Sequence, residues 1–474
     1  MLDTRREIRR LVGALQFNSV KSLSKFSACL FIAILIAFIP NYQGLTEAAQ
    51  WTFFILVFAG GLWITEAIPA FATALVVIGL EIAVLGKPGG VFAETANDWE
   101  LFVRPWSSPL IWLFFGGFIL AAAATKTRLD RWIVRNVLAR FGTSPPIVLL
   151  GLMGLTFIFS MFMSNTATTV MMLAVITPVV ANLEKDDPIV KGMLLAIPFA
   201  ANLGGMGTII GSPPNAIAAG AIANIYPINF AEWMIVGLPP AIFLGAIAWF
   251  YIFKKYPSQA NKIDLSKLLD DSYQSAILPL WKKILVMLVF VLTIGLWLTT
   301  PLHGISTPVI SFIPITIFAA VRVIGVSDIR QLPWDVLILL TGGLSLGLAV
   351  SSTGLAEWLV GGIPFSSGAI IIAAFIFSYI ATVISNFMSN TAASNILVPI
   401  GLAAAAGFEP QVVIPIALGA SAAMCMPIST PPNALAYASE KLTIRDFLTG
   451  GIIIGIIAPI ASVIWCVIVF NNWL

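Results

Sequence analysis

Apolar residues along this chain gather in long blocks, each closed by a short polar stretch. They cover Phe26 to Pro40, Trp51 to Thr65, Pro69 to Leu85, Leu110 to Ala124, Ile147 to Leu183, Met193 to Ile225, Trp233 to Phe253, Ile284 to Thr299, Ser306 to Ala320, Val336 to Val350, Ala369 to Ala405, Val412 to Ala438 and Phe447 to Phe470. One crossing of a bilayer core takes about 20 apolar residues as a helix. The pattern predicts an all-α polytopic membrane protein. Several blocks are too long for one crossing and contain Pro or Gly, so they predict broken helices.

Composition strengthens this reading. Of 474 residues, 59% are hydrophobic and 10% charged, with mean hydropathy +0.98, which excludes a soluble enzyme with a single anchor. A net charge of +3 from 25 basic and 22 acidic residues lacks the clustered positive charge on which nucleic-acid affinity rests. Cys29, Cys425 and Cys466 lie inside apolar blocks and His303 is the lone histidine, which argues against zinc, haem or a disulfide framework.

Charge also orients the chain, because short loops rich in Lys and Arg stay cytoplasmic. Arg5, Arg6, Arg9, Arg10, Lys21 and Lys25 precede the first apolar block, which reads as a spanning helix with a cytoplasmic N-terminus. The group Lys126, Arg128, Arg131, Arg135 and Arg140, the stretch Lys254 to Lys283, and Arg322 with Arg330 are read as cytoplasmic; Gln331 to Glu440 contains no Lys or Arg, and Lys441 and Arg445 return the chain to the inside. With Ile147 to Leu183 and Ala369 to Ala405 as hairpins that enter and leave by one side, eleven crossings place the C-terminus outside. The polar stretch 254–283 reads as a cytoplasmic linker between two halves.

Those halves repeat. Ser164-Asn165-Thr166-Ala167 recurs as Ser389-Asn390-Thr391-Ala392 (389 − 164 = 225), Gly116-Gly117 as Gly342-Gly343 (342 − 116 = 226), and Pro213-Pro214-Asn215-Ala216 as Pro431-Pro432-Asn433-Ala434 (431 − 213 = 218). An odd number of crossings between the copies predicts an inverted repeat, an arrangement whose binding sites lie at the repeat interface near the bilayer midplane.

The repeated motifs are polar residues inside apolar blocks. Ser160, Ser164, Asn165 and Thr166 occupy the middle of one 37-residue block, and Ser385, Asn386, Ser389, Asn390 and Thr391 the middle of another. Each block suits two half-depth helices meeting at a polar tip, tolerated only where the backbone is buried in protein or lines a cavity. The segments Gly204 to Asn215 and Pro427 to Asn433 carry tandem prolines, which interrupt a helix. Unwound backbone there frees carbonyls for a cation, and a helix that starts after the break points its positive end at an anion. A single Ser-Asn-Thr in a membrane helix more often bonds its own backbone; four paired segments point to a ligand site. Glu66 and Glu81 lie near apolar blocks, where a carboxyl can carry protons, but their places close to helix ends favour interfacial or structural roles; His303 reads as a solvated loop residue. Trp51, Trp99, Trp106, Trp132, Trp281, Trp334 and Trp473 cluster at block ends, as interfacial anchors do.

From about Trp63 onward, with SNTATT followed by GSPPNAIA and SNTA followed by STPPNA, the chain resembles the divalent anion/sodium symporter family, carriers of succinate, fumarate, malate and citrate, among which some members carry sulfate and others exchange without sodium. The resemblance implies a homodimer of eleven-helix protomers in the cell (inner) membrane, each with a scaffold domain and a transport domain that bears two re-entrant hairpins and moves as an elevator. It divides this chain into an N-terminal segment (1–25), scaffold helices (26–140), first hairpin and transport helices (141–253), linker (254–283), scaffold helices (284–365), and second hairpin and transport helices (366–474). It implies a first sodium site at Ser160, Ser164, Asn165 and the carbonyl of Gly211, and a second at Ser385, Asn390 and carbonyls near Met388 and Ser429. The substrate would meet Ser164, Asn165, Thr166, Ser389, Asn390 and Thr391, closed over by Ser212, Thr430 and Pro431. The resemblance leads one to expect Thr at position 385 in several relatives; Ser385 keeps a hydroxyl there. The implied activity is sodium-coupled uptake of a C4-dicarboxylate, no enzyme chemistry being expected; the alternatives are a sodium-independent exchanger and a citrate or sulfate carrier.

Overall fold

A computed structural model describes residues 2–138, 140–184, 186–265, 279–360, 367–405 and 407–472. The middle of the linker (266–278), the expected boundary at 365 and 366, and Trp473 lie outside the described residues. Every regular element among the described residues is helical. Ten of those helices are long and apolar enough to cross a membrane, and Ala70–Gly86, Thr307–Ala320 and Ile370–Ile384 are shorter apolar helices.

Compactness divides the chain into two units, one of Met1–Trp106 with Ile338–Pro364 and one of Ser107–Leu337 with Phe365–Leu474. In the first, the helix Ala70–Leu80 widens into a π-helix, Glu81–Gly86. Glu81 is fully buried rather than interfacial; one carboxyl oxygen meets the Ser345 hydroxyl, which also lies 2.9 Å from the Phe102 carbonyl. Gly342 leaves room for Ala74, whose Cα lies 2.7 Å from where a Cβ on residue 342 would sit.

The second unit holds a duplicated five-helix module. Its first copy is α1 (Pro145–Phe162), α2 (Asn165–Asn182), α3 (Pro188–Gly205), α4 (Pro213–Ala221) and α5 (Phe230–Lys255). The second copy is α6 (Ser367–Ile384), α7 (Asn390–Ala404), α8 (Glu409–Ser421), α9 (Pro431–Tyr437) and α10 (Ile444–Asn472). Packing repeats with sequence: α1 lies along α3 as α6 lies along α8, and α5 packs on α3 as α10 packs on α8. The short helices cross over, α4 onto α7 and α8, α9 onto α2 and α3. The equivalent helices α5 and α10 run antiparallel, because Tyr256 Oη donates to Asp446 (2.7 Å) at one end while Trp465 Nε1 donates to the Ile235 carbonyl (2.8 Å) at the other. The unit also contains Pro109–Lys126 and Leu280–Leu298, with Gly116 packed where a Cβ would come within 2.6 Å of the Ser311 side chain.

Loops that charge assigns to one membrane face lie together at one end of this unit. Lys126 Nζ bonds Asp328 (2.5 Å) and Lys282 Nζ bonds the Arg322 carbonyl (2.9 Å), while Lys283 stands over the Trp132 ring at 5.0 Å. Burial alone would raise the Asp328 carboxyl, but the bonds from Lys126 and the Gly325 N–H hold it below the usual carboxylate range. Both flanks of the first broken block reach the same stretch of chain: Ile263 N–H donates to the Thr143 carbonyl (2.8 Å), and Asp187 accepts from Ser258 (3.0 Å) and Gln259 N–H (3.2 Å). The block therefore starts and finishes at one end of the unit. Its arms are not half-depth, since α1 and α2 are 18 residues each, about 27 Å at 1.5 Å per residue. Hydropathy marks the block but not the caps that set arm length, Pro145 at the start of α1 and Ser164 before α2. His303 is not simply solvated: Nε2 donates to the Leu296 carbonyl (2.9 Å) and Nδ1 accepts from Ile305 N–H (3.0 Å).

Close helix crossings at small residues hold the module, as expected where lipid supplies no hydrophobic drive. A Cβ at Gly204 would approach Phe157 Cα to 2.8 Å, and one at Gly419 would approach the Ser378 carbonyl to 2.8 Å, whereas Gly154 on α1 has nothing within 4 Å. Gly204→Leu and Gly419→Leu are each expected to destabilise by about 1–3 kcal/mol or more through overpacking, and Gly154→Ala to be neutral or slightly stabilising. Thermal unfolding of the purified protein, followed by loss of the monodisperse species, checks this; equal midpoints for Gly204→Leu and Gly154→Ala would contradict it.

Candidate functional site

Both Ser-Asn-Thr motifs are helix starts. Ser164 (φ −61°, ψ 142°) and Ser389 (φ −64°, ψ 141°) are N-cap residues whose hydroxyls accept from Ala167 N–H and Ala392 N–H, each at 3.2 Å. A serine oxygen in this position satisfies one of the helix's orphan donors. The next residue, Asn165 or Asn390, is then the first of the helix and half-buried, while Ser164, Thr166 and Ser389 are exposed and Thr391 is half-buried.

At the first break, oxygens face oxygens. Asn165 Oδ1 lies 2.7 Å from Ser160 Oγ. At the same inner position the side chain lies 3.2 Å from the Ala201 carbonyl and 3.1 Å from that of Gly211. Ser160 is fully buried and its hydroxyl donates to the Ala201 carbonyl (2.7 Å). Turned one way, the Asn165 amide nitrogen donates to this ring of acceptors; turned the other, amide oxygen, hydroxyl and two carbonyls converge, an all-oxygen set of the kind that holds hard cations. Gly205 makes room: a Cβ there would come within 2.5 Å of Asn165 Oδ1 and 3.0 Å of the Gly211 carbonyl.

The second break repeats the chemistry with different partners. Ser385 is fully buried and its Oγ has no partner among the described residues, and neither does the buried Asn390 Oδ1. Buried polar atoms are rarely left unpaired, and these two lie five residues apart in sequence at the break between α6 and α7. Met388, three residues after Ser385, is buried at 4% exposure, and Ser429, distant in sequence but bonded to Asn386, at 3%. The Ser429 hydroxyl is committed to structure, accepting from Met426 N–H (2.9 Å) and donating to Asn386 Oδ1 (3.0 Å).

Four residues that the motif reading left unassigned hold these tips. Thr208 donates to the Met161 carbonyl and accepts from Gly211 N–H (3.0 Å), tying the unwound segment to the end of α1. Asn386 does this on the other side, accepting from Cys425 N–H (2.8 Å) and donating to the Thr382 carbonyl (2.8 Å). The asparagines after the tandem prolines are clips. Asn215 Nδ2 donates to the carbonyls of Gly205 (2.8 Å) and Thr208 (2.7 Å), and Asn433 Nδ2 to those of Met424 (3.1 Å) and Met426 (2.9 Å). The tandem Pro-Pro-Asn spacing was the sequence signal for them.

Beside the bonds between α5 and α10, two contacts at equivalent positions near the breaks join the copies. Asn202 Nδ2 donates to Thr430 Oγ1 (3.0 Å), and Ser212 Oγ meets Ser421 Oγ at 3.1 Å. The equivalent positions differ by 421 − 202 = 219 and 430 − 212 = 218, matching the Pro-Pro-Asn offset. Ser212 and Thr430 are buried, and Pro431 is exposed. Replacing Asn215 or Asn433 by Leu removes donors from two buried carbonyls, about 1–3 kcal/mol for each group left unpaired. Both variants are expected to lower the thermal unfolding midpoint to a similar degree; an unchanged midpoint for either would show that its clip holds nothing.

Comparison with known proteins gives these motifs a family. Residues 20–474 match the family model described as the sodium:sulfate symporter transmembrane region. The chain is 30% identical to the sodium-dependent dicarboxylate transporter of Staphylococcus saprophyticus over 92% of its length and 88% of the relative's, and the transporter of the same name from Staphylococcus aureus matches with the same identity and coverage. A family model covering nearly the whole chain, together with two relatives of matching extent, establishes that the chain belongs to the divalent anion/sodium symporter family.

Proposed function

We propose that this chain is a secondary active transporter that takes up a C4-dicarboxylate such as succinate, fumarate or malate together with sodium. The observation that carries the reading is the convergence of Ser160, Asn165, Ala201 and Gly211 oxygens at one break, with Ser385 and Asn390 left as orphan oxygens at the other. An all-oxygen, buried set suits a hard monovalent or divalent cation and offers nothing to a soft metal. The relatives' printed activity, sodium-dependent dicarboxylate transport, supports sodium and the dicarboxylate.

Charge explains why cation and anion travel together. None of the four motif segments contains Lys, Arg or His. The N-termini of α2 and α7 contribute about half an elementary charge each, and hydroxyls and amides contribute none, so a dianion needs whole positive charges from elsewhere. Sodium bound at the two tips provides them, and binding is ordered, with sodium first and the anion against Thr166 and Thr391 afterwards. Asn165 and Asn390 serve both, amide oxygen to the cation and NH₂ to a carboxylate.

The antiparallel α5 and α10, the crossed packing of α4 and α9, and the shared end of the first block's flanks support an inverted repeat with re-entrant hairpins. In this reading the duplicated module travels as one body, an elevator, within a homodimer in the cell membrane.

Asn165→Ala is expected to insert normally and to lose uptake. In proteoliposomes, labelled succinate uptake by the unaltered protein is expected to vanish when external sodium is replaced by choline and to accelerate under an inside-negative potential. Undiminished uptake in choline, driven by dicarboxylate loaded inside, would favour exchange.

A further inference from the structure

The contact between Asn202 and Thr430 fixes which way a hydroxyl points. Asn202 is fully buried on α3, and its Nδ2 donates to Thr430 Oγ1 (3.0 Å) and to Asn433 Oδ1 (3.3 Å). The amide cannot be turned round: Asn433 spends its own NH₂ on the Met424 and Met426 carbonyls, so it presents oxygen to residue 202. Thr430 Oγ1 accepts a second bond from Asn433 N–H (3.3 Å). A hydroxyl has two lone pairs and one proton. Both lone pairs are taken, and the proton has no acceptor among the described residues.

The equivalent contact in the other copy leaves this choice open. Between Ser212 and Ser421 either oxygen can donate, so Ser212 keeps both roles available.

We propose that Asn202 is a positioning residue that makes Thr430 a donor-only hydroxyl and thereby selects a fully ionised carboxylate at that point of the anion site. A group that can only donate bonds most strongly to a carboxylate oxygen, which is charged, and less strongly to the C=O of an acid or amide. It has no lone pair for the O–H of a half-protonated dicarboxylate or the N–H of a half-amide. The proposal rests on the assignment of Thr430 to the anion site made above, and deepens it.

The test is a double-mutant cycle in proteoliposomes, reading KM and turnover for succinate and inhibition by its half-amide, succinamate. Asn202→Ala is expected to raise the succinate KM about three- to tenfold, the worth of one ordinary hydrogen bond, with turnover changed by less than about twofold. It should also narrow the preference for succinate over succinamate. Thr430→Val should raise KM by itself, and Asn202→Ala should add nothing in that background, since residues acting through one another are non-additive. The same KM increase in both backgrounds with the preference intact would show that Asn202 only holds α3 to α9 and would overturn the inference alone. An unchanged KM for Thr430→Val would remove Thr430 from the anion site, and the inference with it. Asn202→Leu, closer in volume, replaces Asn202→Ala if the latter fails to accumulate.

Discussion

Backbone that leaves a helix inside an apolar block must have every polar group satisfied by the protein, because lipid offers no partner. The molecule's central feature follows from that constraint. Four interruptions occur where the chain is otherwise most apolar, and each is closed by side chains the sequence places within a few residues: Ser164 and Ser389 as caps, Thr208 and Asn386 as ties, Asn215 and Asn433 as clips. With the backbone so held, oxygens on Ser160 and Asn165 face carbonyls at one break, and those on Ser385 and Asn390 are without a partner among the described residues at the other.

The two copies are equivalent in plan and different in detail. The Ser160 hydroxyl has a protein partner and that of Ser385 has none among the described residues; Asn202 reaches across with an amide where Ser421 offers a hydroxyl. A duplicated scaffold with unequal side chains can bind an unsymmetrical set of charges without losing the packing that both copies share. That packing is carried by glycine crossings, Gly204 with Phe157 and Gly419 with Ser378, which bring backbones close enough for van der Waals contact to substitute for a hydrophobic drive.

Much of this was legible in the sequence. Apolar blocks gave the all-helical membrane architecture, since hydropathy and length decide spanning almost alone. Tandem prolines and serine caps gave the breaks, being local chemistry: a proline removes a donor where it stands, and a serine caps the helix that follows it. Loops rich in Lys and Arg lie together at one end of the second unit, where Lys126 meets Asp328 and Lys282 meets the Arg322 carbonyl, since such side chains are costly in a hydrocarbon core.

Three-dimensional packing alone decided the rest. No periodicity announces that Ala201 turns its carbonyl toward Asn165, that Glu81 is buried against Ser345, or that His303 bonds the Leu296 and Ile305 backbone. Nor does it show that Asn202 reaches Thr430, 228 residues away in sequence. The sequence determined where the chain would break and which polar groups would be there, since caps and prolines act within one turn. Which oxygens would face each other depended on how α3 lies beside α1 and how α9 crosses onto α2 and α3, and those contacts are set by side chains fitting across helices rather than along them.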